Sequence, residues 1–373
     1  MIVNIDRSGT VEGLGKIVGI TKSHEAVEGL MILSCDANGF TPDSVNGVLR
    51  DCDTPLFGGV FPEIICGTEK LSAGTIVAGL TKRPEVRIIN SLSDINIDYD
   101  RELDEKIPDS ESIKTVFVFV DGFAKRINAF IESLFNIFGL EVNYIGGGAG
   151  SLSMQQKPCL LTNEGMLQDS GLVATVNMES GIGISHGWKK IKGPFRVTES
   201  DRNTIKTLDW SPAFEVYQKV VKKHSGQDIT EDNFFDMAKK YPFGLSRLAT
   251  DYIVRDPFKL EADGSLTCVG EVPQESFIYI LNGDMSSLVK SASKAAAISR
   301  ASFTEGQKPD TTLFIDCISR VLFLKEDFQQ ELKAVVDPGT ELIGALTIGE
   351  IANSRKSYLE FYNKTAVVGS MGN

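Results

Sequence analysis

At 373 residues the chain is too long for one ordinary hydrophobic core, so two domains are expected. Its formal net charge of −12 argues against nucleic acid and against anionic membrane surfaces as partners. Apolar and charged fractions of 42% and 24% are those of a soluble globular protein.

The N-terminus, MIVNIDRSGTVEG, has neither the basic nor the apolar region of a secretory signal. No apolar run approaches the length of a membrane span, so no membrane insertion is expected. Cys35, Cys52, Cys66, Cys159, Cys268 and Cys317 are scattered, with no C-x-x-C pair. That pattern predicts reduced, buried thiols in a cytoplasmic protein. His24, His186 and His224 are too far apart in sequence to form a His-rich metal cluster, and no metal or cofactor is expected.

Residues Met1 to Val27 are polar and weakly patterned. Gly29–Ser34 predicts a buried strand, and Thr41-Pro42 opens a helix with Thr as cap and Pro at the first position. Pro55–Ile65 predicts a strand that turns at Gly58-Gly59, and Gly74–Leu80 another. Thr81–Lys114 is acid-rich, with Asp94, Asp98, Asp109 and Glu111 among its carboxylates, and predicts an extended surface connection. A calcium loop is excluded there, because the glycine and the twelfth-position Glu of an EF-hand are missing.

Thr115–Val120 is the next strand, followed by a helix from Ala124 to Gly139. Ile127, Phe130, Ile131, Leu134, Phe135 and Phe138 fall on one face of that helix. Glu141–Ile145 is a short strand running into the glycines Gly146, Gly147 and Gly148 and on to Ser151. Two readings of that loop stand: backbone amides forming an anion-holding nest, or a tight turn where two backbones cross closely. A dinucleotide fold is rejected, because no helix follows the glycines and the third glycine of the fingerprint is absent. Leu172–Met178 is the next strand.

The same order recurs near the end: strand Thr312–Ile315, helix Glu326–Val335, strand Leu342–Ile351 with a turn, and closing strand Tyr362–Val368. Phe61-Pro62-Glu63-Ile64 aligns with Ile348-Gly349-Glu350-Ile351. The chain therefore reads as repeated βαββ units of about 55 to 65 residues. The strand-to-helix loops begin at or beside Asp36, Asp121 and Asp316, the strand ends where ligands gather in layered α/β folds.

Between the second and third units, Gly181–Pro194 is a glycine-rich junction carrying His186 and Trp188. Two short strands, Arg196–Thr198 and Ile205–Leu208, precede a domain boundary near Asp209. Helices follow at Ser211–Lys222 and Thr230–Lys240, then strands across Leu245–Cys268 and Glu275–Leu281. Asp263-Gly264 marks a hairpin that separates the strands within Leu245–Cys268. A long helix runs from Asp284 to Ala301, with Ala292, Ala295 and Ala296 allowing close packing. The fold class is α/β, with two domains, 1–209 and 210–373, of mixed sheets flanked by helices.

Candidate chemistry centres on few residues. Ser151 follows glycines but lacks the G-x-S-x-G elbow. Cys317 precedes Arg320, which would lower its thiol pKa, and His186 would serve as its base. Against this stands a buried, inert Cys beside a structural Arg. His186-Gly187-Trp188 either stacks on and bonds a small ligand or plugs an interdomain seam. Glu350 either receives a ligand amine or pairs with Arg320.

Six runs together resemble one family: GGGAGS at Gly146–Ser151, HGW at His186–Trp188, VT at Val197-Thr198, and LDWSPAFEVY at Leu208–Tyr217. The others are C-x-x-R at Cys317–Arg320 and T-x-G-E at Thr347–Glu350. The chain resembles the FIST sensory domains of bacterial signalling proteins, an N-terminal part over 1–209 and a C-terminal part over 210–373. The resemblance implies a signal-transduction module that binds small molecules such as amino acids. FIST modules are often fused to kinase, chemotaxis or cyclic-dinucleotide output domains. This sequence has no room for one, so a separate output partner is expected. The expected site is an interdomain cleft holding a small polar metabolite. Gly146, Gly147, Gly148 and Ser151 would bind its anionic end, and Arg320 its carboxylate. Glu350 would bind its amine, Trp188 would form a wall, and His186, Cys317 and Thr347 lie nearby. The alternative is a hydrolase or transferase using Cys317 or Ser151 as nucleophile; a third class is a protein-binding scaffold.

Overall fold

Three pairs of parallel strands, each joined through helix, form the frame of this computed structural model, which describes residues 1–106, 113–246, 252–304, 306, 308–353 and 358–372. Gly29–Cys35 runs parallel to Leu56–Phe61 through the helix Pro42–Arg50. Thr41 and Ser44 close a capping box there, with Pro42 at the helix start. Thr115–Asp121 runs parallel to Asn143–Ala149 through Ile127–Phe138. Thr311–Cys317 runs parallel to Glu341–Thr347 through Ile318–Leu324 and Phe328–Val335.

Each unit then lends its next strand to another unit. Glu63–Cys66 pairs antiparallel with Glu341–Thr347. Leu160–Thr162 pairs with Leu56–Phe61, and Glu350–Ala352 with Asn143–Ala149. The chain returns each time to lie antiparallel beside the unit's first strand, as Thr75–Leu80, Gly171–Val176 and Ala366–Gly372. Three sheets of six strands result, and the lending closes into a ring: first unit to third, third to second, second to first. The repeat is thus a strand-exchanged triplet. Its inner faces share one core that includes Phe57, Phe117, Phe119, Ile145, Leu313, Ile343 and Val367. Phe57 and Phe117 meet at 5.4 Å between ring centroids.

A glycine marks the same place in each unit. Gly58, Gly146 and Gly344 pair with Ile32, Val118 and Phe314 on the neighbouring parallel strand. A Cβ at each would stand 1.9, 1.8 and 1.9 Å from the carbonyl oxygen of that partner. No side chain fits at that distance, so the parallel pair can close only on glycine.

The alignment of the first and third units is off by one residue. Glu350 lies opposite Gly147, while the residue at the matching rung, opposite Ala345, is Ile64 rather than Glu63. The cause is a longer connection: Ile348-Gly349 bridges the third unit's strands where Pro62 alone suffices in the first.

The fourth sheet has seven strands and takes in Lys189–Asp201, Thr204–Leu208, Ile253–Leu260, Leu266–Val269 and Phe277–Asn282. The helix Ala213–Ser225 packs on it through Ala213, Tyr217 and Val221. The turn Asp209-Trp210, near which the boundary is expected, joins two paired strands of this one sheet, Thr207 opposite Pro212.

Several expected elements differ. Met1–Val27 holds a strand, Ile2–Asp6, and a helix, Val11–Lys22, whose glycines Gly13, Gly15 and Gly19 dilute the apolar period. Thr81–Lys114 holds a strand, Glu85–Ile89, and a helix, Tyr99–Lys106; Asp109 and Glu111 lie outside the described residues. Gly181–Pro194 is divided between two strands, Glu179–Ser185 and Lys189–Asp201, with His186-Gly187-Trp188 joining them. Its glycines serve packing: a Cβ at Gly183 would stand 1.9 Å from the Ala295 carbonyl of the helix Met285–Ser302. The second C-terminal helix is only Phe234–Ala238, and the third unit's helix begins at Ile318. Part of the expected Leu245–Cys268 strand region, 247–251, lies outside the described residues. Tyr362–Val368 is broken by a buried polar turn, Asn363–Thr365, between Glu360–Tyr362 and Ala366–Gly372.

Candidate functional site

The segments that follow the parallel strands at Asp121, Cys317 and Thr347 face the seven-stranded sheet, the usual position of a crevice in layered α/β folds. A cleft of about 490 Å³ lies between Gly122–Asn128, which follows Thr115–Asp121, and two segments of the seven-stranded sheet, Asp201–Thr204 and Cys268–Glu271. Its walls carry both charge signs, Lys125 and Arg202 with Asp201 and Glu271, and the amides of Asn128 and Asn203.

These walls are held firmly. The Asn203 side chain donates to the Cys268 carbonyl at 2.8 Å, and the Val272 amide to the Arg202 carbonyl at 2.9 Å. Arg255, buried below, donates from Nε to the Glu271 carbonyl at 2.8 Å and from its terminal nitrogen to the Phe361 carbonyl at 2.7 Å. Firmly held walls lower the ordering cost of binding a ligand.

Met154, Phe258, Val269 and Ile348 line this cleft and also a narrower throat of about 50 Å³. Ile318 and Leu322 complete the apolar wall of the throat; Asp256, Cys317, Ser319, Thr347 and Asn363 supply its polar groups. Leu152, Met154 and Phe235, on its lining, are 46%, 44% and 50% exposed.

Behind the throat a buried network centres on the turn Asn363–Thr365. Lys364 Nζ pairs with Asp256 Oδ2 at 3.2 Å, and Ser319 Oγ donates to the same oxygen at 2.6 Å. The Lys364 carbonyl accepts from Trp188 Nε1 at 3.1 Å and from Arg320 at 3.2 Å. The Thr365 amide donates to Glu350 Oε2 at 3.2 Å, and Thr347 Oγ1 to Glu350 Oε1 at 3.1 Å.

The ten residues named from sequence divide accordingly. Cys317 and Thr347 line the throat. Glu350 sits behind it, fully buried. Gly146, Gly147 and Gly148 lie inside a strand, not a loop. Their backbone is spent on pairing: the Gly148 amide donates to the Gly349 carbonyl, and its carbonyl accepts from Ile348, both at 2.8 Å. This is the close-crossing geometry, with no nest for an anion. Ser151 Oγ donates to Asp36 Oδ2 at 2.6 Å, a carboxylate that Lys157 also pairs. His186 and Trp188 border a separate groove of about 520 Å³ beside the start of Met285–Ser302. Trp188 is buried, edge-on to Phe323, and His186 Nδ1 accepts from the Trp188 amide at 2.9 Å.

Arg320 is fully buried and lines neither the cleft nor the throat. Nε reaches Asp316 at 3.1 Å and Glu331 at 3.0 Å. One terminal nitrogen donates to the carbonyls of His186 and Lys364; the other donates to Leu288, Ser291 and Glu331. The guanidinium is therefore a structural clamp with no donor left over for a ligand carboxylate. Nor does it activate Cys317, as its spacing predicts: burial pushes that thiol well above its ordinary pKa and keeps it protonated at neutral pH. Ser151 has a carboxylate partner in place of a histidine base. Neither residue has the setting of an activated nucleophile.

Glu350 itself is pushed up to about 8, chiefly by burial, against hydrogen bonds from Cys317, Thr365 and Thr347 that favour its charged form. The unfolded carboxyl ionises near its ordinary 4.5. As pH rises through that window, the unfolded chain releases a proton that the folded chain keeps, so this group lowers stability progressively until about pH 8. Glu350→Gln removes the dependence. Chemical denaturation at pH 5, 6.5 and 8 is expected to show the variant gaining on the native protein as pH rises; a constant difference would contradict a neutral Glu350.

Sequence reading missed Lys125, Arg202, Asn203, Glu271 and Asn363. The one available signal was the polar triplet Asn363-Lys364-Thr365 interrupting an otherwise apolar C-terminal run. Among the described residues no group of His, Cys, Asp or Glu is placed to hold a metal ion, and no helix is long and apolar enough to cross a membrane. Comparison with curated proteins gives no match. A model of the FIST N domain matches residues 29–211 and one of the FIST C domain matches 213–353, which together span most of the chain; the protein belongs to the FIST family.

Proposed function

We propose that the cleft between the second six-stranded sheet and the seven-stranded sheet is a sensing site that binds an amino acid or a similarly small polar metabolite. FIST domains are sensory domains of signal-transduction proteins. The observation that carries the reading is the chemistry of the cleft: Lys125 and Arg202 offer cations for a carboxylate, Asp201 and Glu271 offer acceptors for an ammonium, and Asn128 and Asn203 offer neutral bonds. A zwitterion is the small ligand that uses both signs. The two walls belong to different sheets, so a bound ligand bridges them and favours one relative placement. That shift would be the signal passed to a separate output protein. All six cysteines are free, which supports a cytoplasmic setting.

Thermal-shift screening against the common amino acids and small organic acids tests this. At least one is expected to raise the melting temperature. Arg202→Ala, at an exposed position, is expected to weaken that ligand about tenfold or more through loss of one charge-assisted contact, with little change in the ligand-free melting temperature. If no compound stabilises the protein, the proposal fails.

A further inference from the structure

Asn363 is 1% exposed and lines the throat. Its Nδ2 donates to the Tyr362 carbonyl at 2.9 Å, but its Oδ1 has no hydrogen-bond donor among the described residues. A buried amide oxygen without a donor is costly, so such an atom marks a place where something outside the chain supplies one. Gly349, on the same lining, holds φ 88°, and a Cβ there would stand 2.3 Å from the Phe361 ring and 3.1 Å from Asn363 Nδ2, so the Asn363 side chain can sit where it does only beside glycine.

The throat also limits what can bring that donor. At about 50 Å³ it has room for roughly three or four non-hydrogen atoms. Its walls at Phe258, Val269, Leu322 and Ile348 are apolar, which penalises an unpaired charge. Asp256 is already paired with the buried Lys364 ammonium, which would repel a second cation. A neutral donor on a short carbon arm fits all three conditions, and a hydroxyl is the smallest such group.

We propose that the throat reads the side chain of the amino acid held in the cleft and selects a short hydroxyl-bearing one, with Asn363 Oδ1 accepting the hydroxyl proton. The inference rests on the amino-acid reading of the cleft. Threonine and valine have the same shape and differ only by hydroxyl against methyl, and serine and alanine differ by the hydroxyl alone. Isothermal titration of the native protein is expected to show threonine binding at least tenfold more tightly than valine, and serine more tightly than alanine. Asn363→Leu is expected to erase the threonine preference. The native comparison decides the matter even if that variant fails to fold. Valine binding as well as threonine overturns this inference and leaves the cleft standing. Absence of binding by any amino acid overturns the reading of the cleft, and this inference with it.

Discussion

Gly146→Ala is expected to cost about 4 kcal/mol or more, enough to leave little folded protein at ambient temperature. The added Cβ would stand 1.8 Å from the Val118 carbonyl oxygen, far inside contact distance. Both partners are backbone in the middle of a buried parallel pair, so no side chain can swing aside. The strand Asn143–Ala149 would have to retreat from Thr115–Asp121, and that movement would also disturb its opposite edge, where Glu350–Ala352 is paired. Gly58→Ala and Gly344→Ala meet the same obstacle at 1.9 Å and are expected to cost as much. Gly19→Ala is the control. It lies in the helix Val11–Lys22 with nothing within 4 Å of the new Cβ, and is expected to be neutral or to stabilise by about 0.5–1 kcal/mol. Urea denaturation of the four variants checks the set. Equal, mild effects at all four positions would contradict the triplicate register.

Arg320→Met is expected to destabilise by about 3–5 kcal/mol, the cost of breaking a buried ionic network by removing one partner. Arg320 ties the helix Ile318–Leu324 to Glu331, to the helix Met285–Ser302 through Leu288 and Ser291, and to the carbonyls of His186 and Lys364. Its loss strands Asp316 and Glu331, both fully buried. Burial already holds both carboxyls above their ordinary range, and without the cation they rise further. Protonating them at low pH relieves the strain, so the deficit is expected to shrink as pH falls from 8 to 5. Arg320→Met with Glu331→Met replaces ionic contact with apolar contact and is expected to recover at least half the loss. Denaturant midpoints of the three proteins at both pH values provide the check. A deficit independent of pH would indicate lost packing rather than stranded charge.

The three repeated units were legible because each begins with a continuous apolar strand, such as Thr115–Asp121, that ends near an aspartate. The exchange of strands between units was not. Glu63–Cys66 finds its partner in Glu341–Thr347, far along the chain, and nothing local in either segment specifies the other. The glycine run was ambiguous for a physical reason. A nest and a close crossing ask for the same residue, and only the backbone opposite, here the Gly349 carbonyl, distinguishes them.

Arg320, Glu350 and Trp188 do converge, but on the Asn363–Thr365 turn, in solid packing rather than around a void. Gly148 meets the residue just before Glu350. The void lies beside them, on the Cys317 face, and its outer walls come from Arg202, on a hairpin of the seven-stranded sheet, and Glu271, on a connection between two of its strands. Charges on such segments look like ordinary solvated surface in sequence. Asn363 was hidden for a similar reason, inside a stretch whose apolar neighbours read as one strand.

The claim that the cleft receives the ligand is tested most directly by hydrogen–deuterium exchange, run with and without the amino acid that most raises the melting temperature. Protection is expected together in 122–128, 201–204 and 268–271, the segments that form the two walls. Protection confined to 185–189 and 284–294, around the groove beside Trp188, would place the ligand elsewhere and contradict the account.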